Sequence, residues 1–155
     1  MNLFEEALEK ANNLGIDVIE NYDFRSERIK GLYCDGTIAL NTNIKTNTEK
    51  RCVLEEEISH HVVNVGDIIT MSYGNIKEEQ KARLITYNKL IGLRGIIKAY
   101  EHHRTSLHEM AEFLDVTEGF LRDALNLYEK KYGICVAVDN YIINFVPCFS
   151  VTKLL

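Results

Sequence analysis

The chain has 155 residues, 46% hydrophobic and 26% charged, which fits one globular domain or one domain with a small appendage rather than a disordered protein. The net charge of −5 argues against a protein built mainly to coat nucleic acid, because phosphate binding needs a concentrated positive surface. No stretch is apolar enough to cross a membrane, and the acidic N-terminus lacks a signal-peptide core, so we expect a cytoplasmic protein. The four cysteines form no CxxC pair, and we expect reduced thiols in or near the core.

The N-terminal part of the chain predicts a helix followed by a β-hairpin. Residues 2–14 carry apolar side chains at helical spacing. Two stretches of β-forming residues, 31–34 and 37–41, then flank Asp35-Gly36. Asp-Gly between such stretches indicates a two-residue hairpin turn, because that turn needs positive φ at both central residues.

A second helix is expected to begin near Thr46. Thr46 and Glu49 have the spacing of a capping box, in which each side chain can satisfy a free backbone N–H. The helix should end before Gly66, and a loop reaching Gly74 should follow.

A third helix is predicted over about residues 77–101. Its apolar positions recur with helical spacing. Its two internal glycines, Gly92 and Gly95, are expected to bend or break it, since glycine destabilises a helix interior.

The last third of the chain has the pattern of a small winged helix-turn-helix. Ser106 and Glu109 have the spacing of a second capping box at the start of a short helix, and a further helix follows Thr117. A second hairpin is predicted around Asp139-Asn140. Two short helices followed by a hairpin are typical of that module.

Three residues of the second helix carry the candidate chemistry. Glu56 and His60 are four residues apart, so both lie on one helix face and can hold one metal ion. Glu57 is rotated by about 100° from Glu56 and could act on a metal-bound water as general base. This is the geometry of the HExxH helix with Glu as the first ligand. The alternative to a metal site is a solvent-exposed charged face of the helix beside a partly buried pair of histidines.

A catalytic zinc site also needs a third protein ligand and an open position for water. The next helix offers two candidates, Glu78 and Glu79. Zinc bound there would lower the pKa of its water and polarise the scissile carbonyl, while Glu57 would move the proton.

From Lys30 onward the chain resembles the ImmA/IrrE family of metallo-endopeptidases, specifically its short phage and mobile-element members. The resemblance is carried by residues 31–41, 49–61, 66–68, 79–83, 87–90, 111–118 and 131–133. A hairpin, an active-site helix and a second ligand helix in this order are more specific than any one motif.

The resemblance implies a metal site of Glu56, His60 and Glu79 with Glu57 as the catalytic residue. Family members carry the third ligand three positions before an alanine, and Ala82 selects Glu79. Glu56 departs from the first histidine of the family motif. His61 is expected to pack or form a hydrogen bond beside the site. A site in which Glu57 and His61 are the ligands would leave Ile58 at the general-base position, where it cannot do the chemistry.

The implied fold is α+β, with a zincin-like core over residues 1–101 and a winged-helix-like module over residues 102–155. The core would comprise an N-terminal helix, a small sheet, the active-site helix and the second ligand helix. The cofactor would be one Zn²⁺ ion, with another divalent metal as the alternative.

The implied function is an antirepressor peptidase that cleaves a helix-turn-helix repressor of a prophage or mobile element. The substrate is then a partner protein, and the sequence predicts no membrane partner and does not reveal the oligomeric state. The competing hypothesis is a catalytically inactive zincin-like protein that binds a repressor or DNA as a regulator. DNA binding is disfavoured because the helix after Thr117 mixes acidic and basic residues, which suits phosphate poorly.

Overall fold

The computed structural model describes residues 1–66 and 75–155, without the side chains of residues 64–66 and 75–78. The described part of the chain combines helices with two small sheets, as expected for an α+β protein. None of its helices has both the length and the apolar character that a membrane crossing requires. The predicted loop through Gly74 lies outside the described residues.

The chain forms two compact units, and the first comprises Met1–Thr86. In chain order its elements are α1 (Leu3–Asn13), β1 (Asp17–Tyr22), β2 (Gly31–Cys34), β3 (Thr37–Asn41), α2 (Asn47–Gly66) and most of α3 (Asn75–Leu90).

The predicted N-terminal helices are confirmed, and each of them begins at a side-chain cap. Asn2 and Glu5 form a complete capping box at the start of α1. Thr46 Oγ1 accepts a hydrogen bond from the Glu49 N–H at 3.2 Å, as its spacing predicts. Helix α2 includes Gly66 instead of ending before it.

A three-stranded sheet with the order β1-β3-β2 forms the first unit's β structure. β2 and β3 are the predicted hairpin, and positive φ at Asp35 (47°) and Gly36 (79°) makes its turn. β1, which the sequence pattern did not reveal, runs parallel to β3. Ile38 and Leu40 of β3 are fully buried in a core shared with α1 and α2, and this packing fixes α2 against the sheet.

The second unit comprises Tyr87–Leu155. Its elements are the end of α3, α4 (Gly92–Glu101), α5 (Leu107–Leu114), α6 (Glu118–Tyr132), β4 (Cys135–Val138), β5 (Tyr141–Asn144) and β6 (Ser150–Lys153).

The predicted break in the long helix is confirmed at Gly92, where φ is +66°. The compact units divide after Thr86, and α4 packs against α5 within the second unit. The domain boundary after residue 101 stays a prediction. The predicted hairpin is present, and β6 extends it to a three-stranded sheet of order β4-β5-β6. The winged-helix and zincin-like descriptions of the two units remain predictions.

Most of the cysteines lie outside the core. Cys52 is buried in α2. Cys34, Cys135 and Cys148 are exposed, so the expectation of core thiols was wrong for these three.

Candidate functional site

A cleft of about 330 Å³ lies where β2, α2 and α3 approach one another in the first unit. The described residues that line it are Gly31, Leu32 and Tyr33 of β2, Glu57 and His60 of α2, and Glu79 of α3. Glu57 and His60 are three residues apart on one helix, so both side chains reach the same side of α2. Three of the four predicted site residues therefore meet in one place.

His60 and Glu79 approach each other across this cleft. His60 Nε2 lies 3.4 Å from Glu79 Oε2. Two ligands of a tetrahedral zinc at bond lengths of about 2.1 Å are separated by about 3.4 Å, so this pair has the spacing of two metal ligands. The other oxygen of Glu79, Oε1, lies 3.2 Å from Arg83 Nε, which orients the carboxylate. The pair thus fits a divalent cation.

Glu57 is held in an environment that disfavours its charge. The pKa of Glu57 is raised from 4.5 to about 7. Burial is the largest cause, and the negative charges of Glu56 and Glu79 also raise it. The backbone N–H of Tyr33 donates to the Glu57 carboxylate and lowers the pKa in part. A carboxyl group that titrates near neutrality can both accept and return a proton, as general acid–base chemistry requires.

Glu56, the predicted first ligand, is placed differently from the other three. It is half-buried on α2 and is not among the described residues that line the cleft. The negative charge of Glu56 raises the pKa of the Glu57 carboxyl. Among the described residues, no group of three His, Cys, Asp or Glu side chains is arranged to hold a metal ion. The structure therefore supplies two converging donors, and the third ligand stays a prediction.

His61 contacts Tyr33 of β2, which lines the cleft. Its Nδ1 lies 2.8 Å from the Tyr33 hydroxyl, and the two rings make a T-shaped contact with centroids 5.3 Å apart. This hydrogen bond agrees with the expected role beside the site. His102, His103 and His108 are exposed on the second unit.

A buried hydroxyl pair joins the two helices that carry His60 and Glu79. The Thr86 hydroxyl lies 2.8 Å from the Ser59 hydroxyl and 2.9 Å from the Ala82 carbonyl, and both side chains are buried. Buried polar groups need such partners, so this contact restricts how α3 can slide along α2. Sequence reasoning missed it because neither residue has a distinctive local pattern.

Gly31 allows β2 to approach α2 closely at the cleft. A Cβ atom at this position would lie 2.6 Å from Val53 Cγ1 and 3.4 Å from Glu57 Cγ. Any larger residue would push the strand away from the helix that carries Glu57. A glycine at the start of a strand was the available signal, since it often marks a close backbone approach.

Comparison with known proteins gives one match. A family model described as peptidase M78, IrrE N-terminal-like domain, matches residues 11–126. No curated protein and no solved structure matches the chain significantly. The matched range covers more than half of the chain and includes all of the cleft residues. The chain therefore belongs to the peptidase M78 family, whose members are metallopeptidase-like proteins with an IrrE N-terminal-like domain.

Proposed function

We propose that the protein is a zinc-dependent endopeptidase of the antirepressor type, which cleaves a helix-turn-helix repressor of a prophage or mobile element in the cytoplasm. The observation that carries the catalytic part is the meeting of Glu57, His60 and Glu79 in one cleft beside an edge strand. Family membership supports a metallopeptidase-like activity. The identity of the substrate rests on the resemblance alone.

In this proposal His60 and Glu79 hold the metal ion, and Glu56 is the third ligand. The spacing of His60 Nε2 and Glu79 Oε2 supports the first two assignments. A rotation of the Glu56 side chain would have to bring its carboxylate to the same ion. When bound, zinc supplies a Lewis acid for the scissile carbonyl and makes an attacking water more acidic.

Glu57 is the proposed proton carrier. Its carboxylate accepts a proton from the attacking water, and its carboxylic acid later donates that proton to the leaving amine. In the metal-free protein, burial and the negative charges of Glu56 and Glu79 raise the pKa of Glu57 to about 7. A cation held by Glu56 and Glu79 would offset their charges and lower this pKa, which favours the carboxylate form that accepts the proton.

Strand β2 offers a place for an extended polypeptide. In a two-residue hairpin the pair next to the turn, Cys34 and Thr37, is hydrogen-bonded, and the pairing then alternates. Tyr33 and Gly31 therefore turn their backbone groups away from β3. In the described part of the chain β2 pairs with β3 alone. A substrate strand could add there through the Tyr33 carbonyl and the backbone groups of Gly31, beside the Glu57 carboxylate that accepts from the Tyr33 N–H.

The test is cleavage of a repressor encoded next to this protein by the purified full chain loaded with zinc. Wild type should cut the repressor, and Glu57→Gln should lose at least about a hundredfold in rate, because general base catalysis contributes that much. Elemental analysis should find about one zinc per chain in wild type and in Glu57→Gln, and none in His60→Ala. His102→Ala, at an exposed histidine on the second unit, is the control that should keep zinc and activity.

A second candidate function is a repressor-binding regulator without catalysis. It is favoured by Glu56 at the position where the family motif has histidine, and by the lack of a three-donor group among the described residues. It predicts no zinc in either wild type or His60→Ala, and an intact repressor in the complex. Under this alternative Glu57→Gln would derepress the element as well as wild type does.

A further inference from the structure

The outer face of the first unit's sheet carries one apolar row that ends at the cleft. Ile19 of β1 is in register with Ala39 of β3, and Ala39 is in register with Leu32 of β2. Residues in register point to the same face of a sheet. Ile19 and Leu32 are 44% and 52% exposed, and Leu32 also lines the cleft. The row therefore connects the outer sheet face with the candidate active site.

This face is not the one that packs against the helices. Val18, Ile38 and Leu40 alternate with the apolar row and contact the core formed with α1 and α2. The adjoining row toward the hairpin turn is Asp17, Thr37 and Cys34, which is mostly polar. A single exposed leucine is ordinary on a protein surface. A row of apolar side chains that ends at an open strand edge instead indicates a binding surface.

The hydrogen-bonding pattern of β2 determines which side chain a bound segment would meet. Leu32 directs its backbone groups to Ala39, so toward an added strand it would form a non-hydrogen-bonded pair. In such pairs the side chains lie closest, with Cα atoms about 4.5 Å apart. The residue of a bound segment opposite Leu32 would thus extend the row Ile19–Ala39–Leu32 by one position.

We propose that Leu32 is a specificity-determining residue, and that the chain selects an extended polypeptide segment with an apolar side chain opposite Leu32. The inference rests on the proposed peptidase function for the identity of the segment as substrate. It adds the chemical class of the side chain that is recognised and the surface that recognises it. Burial of Leu32 and the apolar side chain against each other supplies the preference.

The experiment measures binding separately from cleavage. A random peptide library is displayed and selected on the zinc-loaded full chain carrying Glu57→Gln, which binds without cutting. The selected peptides should share one apolar position. Adding Leu32→Lys should shift that position to Asp or Glu, and a peptide selected on the parent should bind this variant about tenfold more weakly. Restoring charge complementarity in the peptide should recover the binding.

Leu3→Lys is the matched control, because Leu3 is an exposed leucine on α1 outside the row. It should leave the selected sequences unchanged. Leu32→Ala, which introduces no charge, should relax the preference without reversing it. Selection of peptides with no shared apolar position, a preference unchanged by Leu32→Lys, or no enrichment at all would overturn the inference. Peptides that bind in a Leu32-dependent way but remain uncut by wild type would sustain the docking surface and overturn the peptidase proposal.

Discussion

The titration of Glu57 links the candidate active site to the stability of the metal-free protein. The pKa of the Glu57 carboxyl is about 7 in the folded protein, whereas its ordinary value is 4.5. Between these values the folded state binds more protons than the unfolded state, so stability falls as pH rises from about 4.5 to 7. The charged carboxylate therefore destabilises the metal-free fold at pH 8.

We expect Glu57→Gln to stabilise the metal-free protein at pH 8 by about 1–3 kcal/mol, and to have little effect at pH 4.5. Glutamine keeps the shape and can still accept the hydrogen bond from Tyr33 without carrying charge. Urea unfolding in the presence of a chelator, at both pH values, measures the difference. Lower stability of Glu57→Gln at pH 8 would contradict the raised pKa.

At the scale of single elements, the contact between β2 and α2 depends on Gly31. Gly31→Ala should destabilise the protein by about 1–3 kcal/mol, because the new Cβ would meet Val53 Cγ1 at 2.6 Å. Val53→Ala in the same chain should recover part of that loss by removing the opposing methyl group. Gly119→Ala in α6 is the control, since its Cβ would meet nothing within 4 Å. Thermal unfolding of the four proteins makes the comparison, and equal losses at the two glycines would contradict it.

The junction between α2 and α3 makes a second prediction at this scale. Thr86→Val keeps the shape but leaves the buried Ser59 hydroxyl without this partner, and should cost about 1–3 kcal/mol. The double variant Ser59→Ala, Thr86→Val should cost less than the sum of the two single changes. Denaturant unfolding of all four members of the cycle gives the coupling energy. Additive losses would show that the hydroxyl pair does not join the helices.

Across the whole molecule, the sequence predicted features that depend on neighbouring residues and missed those that depend on distant ones. The caps at Thr46 and Ser106 act within one helical turn, and both are present. β1 has only one half-buried position in an otherwise exposed strand, so its parallel pairing with β3 left no alternating pattern to read. The break at Gly92 was anticipated because glycine destabilises a helix interior, which is a local property, whereas α4 continues through Gly95.

The features of the candidate site were likewise predictable from the sequence only in part. Helical spacing predicted Glu56 and His60 on one helix face with Glu57 rotated away from Glu56, whereas the structure brings Glu57 and His60 to the cleft and does not place Glu56 in its described lining. Spacing could not choose between Glu78 and Glu79, and the family resemblance was needed to select Glu79. The closeness of Gly31 to Val53 and the hydrogen bond between Tyr33 and His61 are contacts between distant residues, which a single sequence does not specify.

The two compact units allow the effect of metal to be located in the molecule. If His60 and Glu79 bind zinc, the ion joins α2 to α3 and should stabilise these elements by about 3 kcal/mol at a hundredfold excess over its dissociation constant. Hydrogen exchange read by mass spectrometry should then show slower exchange in α2 and the first part of α3, with no change in β4, β5 and β6 of the second unit. In His60→Ala zinc should leave both regions unchanged. Zinc-dependent protection of the β4-β5-β6 sheet would place the ion elsewhere in the chain, and so would protection that survives in His60→Ala. The cleft would then be explained as a surface that binds a polypeptide without metal.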